Sequence, residues 1–479
     1  MGIRKVSWNG KRVTVAGLGV SGIPAARALH GLGAVVTVVN DGDDERSRAQ
    51  AEELRAEGIT VRLGDGDTLP EGSELVVTAP GWRPDKPLFA AAAQAGVEVW
   101  GDVELAWRLR ETPPGRTPAP WLAVTGTNGK TTTVRMLASI LQAAGLRTAA
   151  VGNIGVSLLD AVLGEETYDV LAVELSSYQL HWAPSLRAHS AAVLNLAPDH
   201  LDWHGSMEAY AADKGRIYEG NTVACVYNVA DKVTEDLVRE ADVEEGCRAI
   251  GFTLGTPGPS QLGVVEGILV DRAFVENRQK QAQELAEVAD VQPPAPHNIA
   301  NALAAAALAR AFGVEPKAVR DGLRAFRPDP HRIELVEEIQ GVVYVDDSKA
   351  TNTHAAEASL AAYDPIVWIA GGLAKGAAFD EIVANSAKRL RGVVLIGADR
   401  ALIREALARH APEVPVVDLD RTDTGAMSAA VEEASRLAQP GDTVLLAPAC
   451  ASMDMFTNYN KRGEAFADAV RALAAAGRD

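Results

Sequence analysis

The residues best equipped for chemistry stand together at 123–133, in the run A-V-T-G-T-N-G-K-T-T-T. An apolar stretch, Trp121, Leu122, Ala123 and Val124, leads into them. Apolar residues at helical spacing follow: Val134, Met136, Leu137, Ile140 and Leu141. Strand, glycine loop and helix together make a cradle for phosphates. Glycines let successive backbone N–H groups point at one anion, and the helix N-terminus adds partial positive charge. The loop residues are Gly126, Thr127, Asn128, Gly129, Lys130, Thr131 and Thr132. Lys130 is placed to reach the β- and γ-phosphates, and the Thr131 hydroxyl to ligate Mg²⁺. The spacing is a short variant of G-x-x-x-x-G-K-[ST], because position 124 is valine. A chance glycine turn is the plain alternative; a strand before it and Lys-Thr-Thr-Thr within it weigh against that.

Other polar groups gather around predicted strand ends. An apolar strand at 170–173 ends in Glu174, followed by L-S-S-Y-Q. A carboxylate at a strand end beside a phosphate loop is a usual Mg²⁺ ligand, although a single glutamate is more often a solvated charge. A strand at 191–196 runs into A-P-D-H-L-D-W-H-G, where His200, Asp199 and Asp202 are candidate metal ligands and a lone histidine is more often structural. The spacing predicts a helix over 207–219 that carries Lys214, and strands and loops without chemical signal over 222–292. A helix beginning at 296 places Asn298 and Asn301 three apart on one face, as helix caps or as readers of a nucleobase edge.

The elements that must position these groups alternate strand and helix along the whole chain. Near the N-terminus a strand at 13–16, the turn G-L-G-V-S-G at 17–22, a helix at 23–30 and a strand at 34–39 precede Asp41. That is a dinucleotide fingerprint with Asp41 on a ribose, but the same turn serves other diphosphates. A strand at 75–78 ends in Ala79-Pro80-Gly81, and the proline-rich run 112–120 reads as a linker. Beyond F-R-P-D-P-H-R at 326–332, strands at 342–345, 365–370, 393–396 and 444–446 each end in a polar or glycine-rich loop. Ligand groups are thereby placed along the carboxyl edge of a parallel sheet.

Composition bounds the rest. At 479 residues the chain calls for about three domains. A net charge of −18 argues against a nucleic-acid or anionic-membrane surface. Cys225, Cys247 and Cys450 have no metal-ligand spacing and fit a reducing cytoplasm. The N-terminal residues lack the apolar region of a signal peptide, and no apolar run is long enough to span a membrane; 302–309 reads as a short alanine-rich helix.

Taken together, T-G-T-N-G-K-T-T, E-L-S-S-Y-Q-L, H-N-I-A-N-A-L-A-A, P-H-R-I-E, D-D-S-K-A-T-N and P-A-C-A-S-M-D-M-F resemble, in this order, the Mur ligase family. The last two resemble its D-glutamate-adding branch. The resemblance spans nearly the whole chain and implies an α/β fold of three domains. These are a Rossmann-like N-terminal domain at 1–114, a central P-loop ATPase-like domain at 115–327 and a Rossmann-like C-terminal domain at 328–479. It implies an ATP-dependent amide ligase of peptidoglycan precursor synthesis that joins D-glutamate to UDP-N-acetylmuramoyl-L-alanine through an acyl phosphate, as a cytoplasmic monomer. By the same resemblance, Lys130 and Thr131 serve ATP phosphates and Mg²⁺, and Glu174 and His200 ligate Mg²⁺. Lys214 is carbamylated and helps hold the second of two Mg²⁺ ions. Asn298 and Asn301 contact adenine, and Arg332, Asp347 and Lys349 close over the nucleotide. Thr351, Lys375, Ser452 and Tyr459 hold D-glutamate. Asn153 faces the substrate, and Gly19, Val20, Ser21 and Gly81 take its UDP portion in place of NAD. The run N-D-G-D-D at 40–44 lacks the threonine-arginine pair found near uracil in that branch, and Tyr459 stands where phenylalanine is common. The competing readings are another Mur-type or L-glutamate-adding ligase, an NAD-dependent oxidoreductase built on 17–41, and a non-catalytic nucleotide-binding protein.

Overall fold

A computed structural model describes residues 7–111, 115, 117–421, 423 and 425–476. The chain is α/β throughout and forms three sheets. Two compact units divide it, one of residues Met1–Val291 with Ile299–Phe326, the other of Gln292–Asn298 with Arg327–Asp479.

The first unit holds two sheets. Strands β1 (Arg12–Ala16), β2 (Val35–Asn40), β3 (Thr60–Leu63), β4 (Leu75–Thr78) and β5 (Glu98–Gly101) alternate with helices α1 (Gly22–Gly31), α2 (Glu45–Ala56), α3 (Pro87–Gln94) and α4 (Asp102–Leu109). All pairings are parallel, in the order β3-β2-β1-β4-β5. The direction of winding reverses between β1 and β4, the place where such sheets bind ligands. The expected boundary near 114 falls after α4, and the linker expected over 112–120 lies in part outside the described residues.

The second sheet comprises β6 (Trp121–Thr125), β7 (Ala150–Gly152), β8 (Leu171–Glu174), β9 (Ser190–Val193), β10 (Ala224–Asn228), β11 (Arg248–Phe252), β12 (Gln261–Val265), β13 (Ile268–Asp271) and β14 (Gln283–Glu287). Its order is β14-β13-β12-β11-β10-β9-β6-β8-β7. Only β12–β13 and β13–β14 are antiparallel, an up-and-down extension of a parallel core. Strand β6 explains why the centre reads as an unbroken apolar run. Trp121 and Ala123 enter one core while Leu122 and Val124 enter another, so both faces are covered. The helices of this region are α5 (Lys130–Ala143), α6 (Leu158–Leu163), α7 (Ser177–His181), α8 (Leu201–His204), α9 (Met207–Gly215), α10 (Lys232–Glu240), α11 (Pro296–Ala311) and α12 (Pro316–Ala325).

Three details differ from the sequence reading. The stretch 222–292 contains helix α10. The helix expected over 207–219 stops at Gly215 and passes into a 3₁₀ turn, Arg216–Tyr218. The strand expected to 196 leaves the sheet after Val193, because Asn195 turns to the phosphate loop: its Oδ1 accepts from the Asn128 N–H at 2.9 Å and its Nδ2 donates to the Asn128 carbonyl at 3.1 Å. The alanine-rich segment 302–309 is wholly buried inside α11, as befits a helix that is apolar all round. Among the described residues no helix is long and apolar enough to cross a membrane.

The other unit contains β15 (Glu334–Ile339), β16 (Val342–Asp346), β17 (Ile366–Gly371), β18 (Leu390–Ile396), β19 (Val416–Asp418) and β20 (Thr443–Leu446) in the order β15-β16-β20-β17-β18-β19. All pairs are parallel except β15–β16. Helices α13 (Thr353–Leu360), α14 (Asp380–Ser386), α15 (Arg400–His410), α16 (Ala426–Leu437) and α17 (Tyr459–Ala476) cover it. In β17, Ile366, Trp368 and Ala370 pack on one face and Val367 and Ile369 on the other, the two-residue period of a strand buried on both sides.

Candidate functional site

The phosphate loop joins β6 to α5. Gly126 (φ 152°) and Gly129 (φ 84°) take backbone conformations that side chains rarely adopt, and a Cβ on Gly129 would lie 2.4 Å from Asn301 Oδ1. Thr127 fixes the loop: its N–H donates to the Asn195 carbonyl at 3.0 Å, its Oγ1 accepts from the Ala197 N–H at 3.0 Å, and it shares a 3.0 Å hydrogen bond with the Tyr210 hydroxyl of α9. Lys130 Nζ donates to the carbonyls of Gly126 and Thr127 at 2.9 and 2.8 Å. Lys214 Nζ, also on α9, donates to the same Gly126 carbonyl at 2.9 Å and to Thr125 Oγ1 at 3.3 Å. Lys214 is fully buried. Burial, and after it the nearby charge of Lys130, hold its amine well below the ordinary lysine range.

Glu174 closes β8 beside this pair. Its Oε1 accepts from Asn153 Nδ2 at 3.2 Å, while its buried Oε2 has no hydrogen-bond partner. An unpartnered buried carboxylate oxygen suits a hard cation, and Thr131, in the first turn of α5, adds a hydroxyl oxygen of the same hard kind, so these residues fit Mg²⁺. His200 has a left-handed backbone (φ 55°) ahead of α8, and its ring lies against Tyr178 and Tyr210. Partial burial first, then Lys130 and Lys214, keep it below the usual histidine pKa, against the pull of Asp199.

A buried polar network that the sequence did not reveal supports α9. Asp213 accepts from His181 Nδ1 and His204 Nδ1, both at 2.9 Å, and His204 Nε2 lies 2.9 Å from Ser177 Oγ. Burial opposes the Asp213 charge, but the two histidines outweigh it and take its pKa down to about 2. The run D-W-H-G contained His204, yet its partners lie 9 and 27 positions away, beyond any local pattern.

At the first sheet, Gly19, Val20, Ser21 and Gly81 sit on the turns after β1 and β4, and Val20 is 96 % exposed. Asp41, the candidate ribose ligand, is ion-paired with Lys86 at 2.9 Å, which also binds Asp67 at 2.9 Å. Asn301 lies against Gly129 in this unit, and Asn298 belongs to the second unit, where its Nδ2 donates to the Pro293 carbonyl at 3.3 Å.

Within the second unit, the loops after β16, β17 and β20 carry the expected residues. Asp347 is buried. Desolvation pushes its carboxyl up to about 6 against a hydrogen bond from Ser359 and the charge of Arg332. Lys349 Nζ sits 4.1 Å from the centre of the Tyr459 ring. Thr351 precedes α13, exposed Lys375 has φ 50°, and Ser452 is buried. Two supports escaped the sequence reading. Arg462 of α17, 1 % exposed, donates to Ser348 Oγ, the Ser348 carbonyl and the Cys450 carbonyl at 3.0, 2.9 and 3.0 Å, and so ties two of these loops together. His331 Nδ1 meets Asp346 Oδ2 at 2.7 Å, directly before Arg332.

A phosphate loop, a lysine buried behind it and a glutamate with one unpartnered oxygen at the neighbouring strand end are thus in place, and comparison with known proteins says which family uses them. Residues 11–101 match the Mur ligase MurD-like N-terminal domain, 124–309 the Mur ligase middle domain, and 331–450 the Mur ligase glutamate ligase domain. The UDP-N-acetylmuramoylalanine–D-glutamate ligase of Streptomyces avermitilis is 87 % identical, covering 98 % of this chain and all of its own length. The chain belongs to the Mur ligase family. The same-named ligase of Thermobifida fusca is 62 % identical over 97 % of this chain and 99 % of its own. Among solved Mur ligase structures, MurF from Thermotoga maritima in complex with ADP matches with a TM-score of 0.58 at 17 % identity, over 97 % of this chain and 96 % of that one. A pseudomurein peptide ligase type C from Methanothermus fervidus gives 0.58 at 18 % identity, over 97 % and 100 %. These two likenesses establish the three-sheet α/β fold as that of a Mur ligase.

Proposed function

We propose that this chain joins D-glutamate to UDP-N-acetylmuramoyl-L-alanine with hydrolysis of ATP, in the building of peptidoglycan precursors, as a cytoplasmic monomer. The observation that carries the reading is the convergence of Lys130 and Lys214 on the Gly126 carbonyl, beside the unpartnered Glu174 Oε2. The near-full-length relatives that bear this ligase name select the amino acid.

The chemistry follows from the substrates. A carboxylate does not condense with an amine in water until its oxygen is made a leaving group. The alanine carboxylate attacks the γ-phosphorus of ATP, ADP leaves, and an acyl phosphate forms. The glutamate amine then attacks the acyl carbon, losing its proton, and phosphate departs. Lys130, swinging from the loop carbonyls to the phosphates, offsets charge on the transferring group. Thr131, Glu174 and His200 are the groups to hold Mg²⁺, which when bound adds further neutralisation of phosphoryl charge. In its neutral form the buried Lys214 amine adds to CO₂ with loss of a proton, and the resulting carbamate replaces a potential cation by an anionic oxygen ligand. Asn298 and Asn301 serve adenine, and Arg332, Asp347 and Lys349 the nucleotide. Thr351, Lys375, Ser452 and Tyr459 hold the dicarboxylate of D-glutamate. Gly19, Val20, Ser21, Gly81 and Asn153 serve the UDP-linked substrate. The division at 114 and 327 sets the turn for UDP on the first part, the phosphate loop on the second and the groups for D-glutamate on the third.

The test is phosphate release with UDP-N-acetylmuramoyl-L-alanine, ATP and a panel of amino acids. The reading requires release that depends on D-glutamate. Equal turnover with L-glutamate or lysine contradicts it.

A further inference from the structure

One carboxylate links the glycine turn of the first sheet to the strand end that carries Glu174. Asp102 opens α4 directly after β5. Its Oδ2 accepts from the Ser21 hydroxyl at 3.0 Å and from the Gln179 side-chain amide at 3.3 Å. Gln179 Oε1 in turn accepts from the N–H and the hydroxyl of Ser176 at 3.1 and 3.2 Å, and Ser176 is two residues beyond Glu174. A continuous path of hydrogen bonds therefore runs from the turn at 19–21 to the neighbourhood of Glu174.

Two features set this path apart from ordinary structural glue. Ser21 occupies the N-cap position of α1 but makes no capping hydrogen bond, its hydroxyl being held by Asp102 instead. The hydroxyl is thus committed to α4 and not to its own helix, whose first-turn Ile23 N–H is held by the Gly19 carbonyl at 3.2 Å. Asp102 Oδ1 is buried with no partner, and burial pushes the carboxyl above its ordinary pKa. A half-satisfied buried carboxylate is a poor way to hold two elements together; an apolar side chain or a fully bonded amide would do so at lower cost. The same helix offers a contrast: Glu104, two residues along α4, is also buried but accepts from the Ser185 N–H, the Ser185 hydroxyl and Arg108.

We propose that Asp102 is a positioning residue that couples the diphosphate end of the substrate, at the Gly19–Ser21 turn, to the metal- and nucleotide-binding end at Glu174. The coupling rests on the reading that a UDP-linked substrate occupies that turn. An anion on the turn engages Ser21, Ser21 re-aims Asp102, and Gln179 and Ser176 carry the change to the loop that follows Glu174. The UDP handle then contributes to chemistry at a distance as well as to binding.

Calorimetric titration tests this without turnover. The full-length protein is titrated with Mg²⁺ and AMP-PNP, with and without saturating UDP, a probe that carries the diphosphate but no reacting carboxylate. In the wild type UDP should raise nucleotide affinity about 10-fold. In Asp102→Ala the factor should fall to near one while the nucleotide alone binds as before, and Asp102→Asn, which keeps an acceptor, should retain part of it. Ser21→Ala should lose the same coupling, with no further loss in the double variant, which keeps the test decisive if Asp102→Ala does not fold. Full coupling in both variants, or none in the wild type, overturns the role of Asp102. UDP that fails to bind the wild type, or that competes with the nucleotide, overturns instead the placing of the UDP substrate on the turn.

Discussion

At the phosphate loop two lysine amines, of Lys130 and Lys214, donate to one carbonyl oxygen, that of Gly126. Two unit charges 4 Å apart repel by about 4 kcal/mol at an effective dielectric of 20, and a bound divalent cation would add to that. Burial and the nearby charge of Lys130 favour the neutral form of Lys214, and a neutral buried amine is what carbamate formation needs. Lys214→Ala should lower kcat about 100-fold or more while AMP-PNP still binds at Lys130, and acetate should restore part of the rate. Full activity in that variant at low bicarbonate removes the role. Asp347 offers a pH test. Its carboxyl is raised from 3.8 to about 6, so between those values the folded state binds the proton that the unfolded chain has released. Stability is therefore lost as pH rises through that window, by about 3 kcal/mol in all, and none is lost below it. Asp347→Asn should abolish this fall, and urea midpoints at pH 4, 5 and 6.5 would show it; an unchanged slope refutes the shift. Lys130, Glu174 and His200 stood out as candidates in the sequence because each lies on a short motif beside a predicted strand or helix, and Lys214 through the family resemblance. Asp102, Asp213 and Arg462 were not, because what distinguishes them is a partner 32 to 114 positions away.

At the scale of elements, the phosphate helix α5 is braced by α12. Gly322 is where the two backbones meet: a Cβ there would stand 2.4 Å from Ile140 Cα and 2.9 Å from the Ser139 carbonyl, and Ser139 Oγ donates to the Gly322 carbonyl at 2.7 Å. No side chain can yield at such a contact, so Gly322→Ala must displace α12. It should cost about 1–3 kcal/mol in denaturant unfolding and leave the KM for D-glutamate unchanged; wild-type stability in this variant would show that the helices adjust freely. The element pattern was largely legible, since strands buried on both faces read as apolar runs ending in glycine or acid. The amphipathic helix α10 was missed because an all-polar surface face hides its period among charges, and α11 carries no period because its alanines are buried all round. The early end of β9 was set by Asn195, whose amide prefers the phosphate loop to the sheet, a choice made by tertiary contacts.

For the whole molecule, the sequence indicated three α/β sheets in the right order, but not that Gln292–Asn298 joins the second unit, since a segment that leaves one unit and re-enters it looks locally like any other loop and helix start. The groups assigned to amino-acid capture all lie in that second unit, and those assigned to phosphate chemistry in the first. Lys375→Ala should accordingly raise the KM for D-glutamate about 10-fold or more with little effect on that for ATP, because a dicarboxylate loses a charge-assisted hydrogen bond while the nucleotide loses nothing; equal changes in both would place Lys375 elsewhere. With a net charge of −18, the chain must draw three anionic substrates to local basic and N–H groups against its overall field, so weaker binding of all three is expected at lower ionic strength. The central claim is that an alanine carboxylate is phosphorylated and then taken by D-glutamate. It is tested most directly with UDP-N-acetylmuramoyl-L-alanine labelled with ¹⁸O in that carboxylate. The account predicts that phosphate released in the presence of D-glutamate carries one ¹⁸O atom. Unlabelled phosphate accompanying amide formation would contradict it.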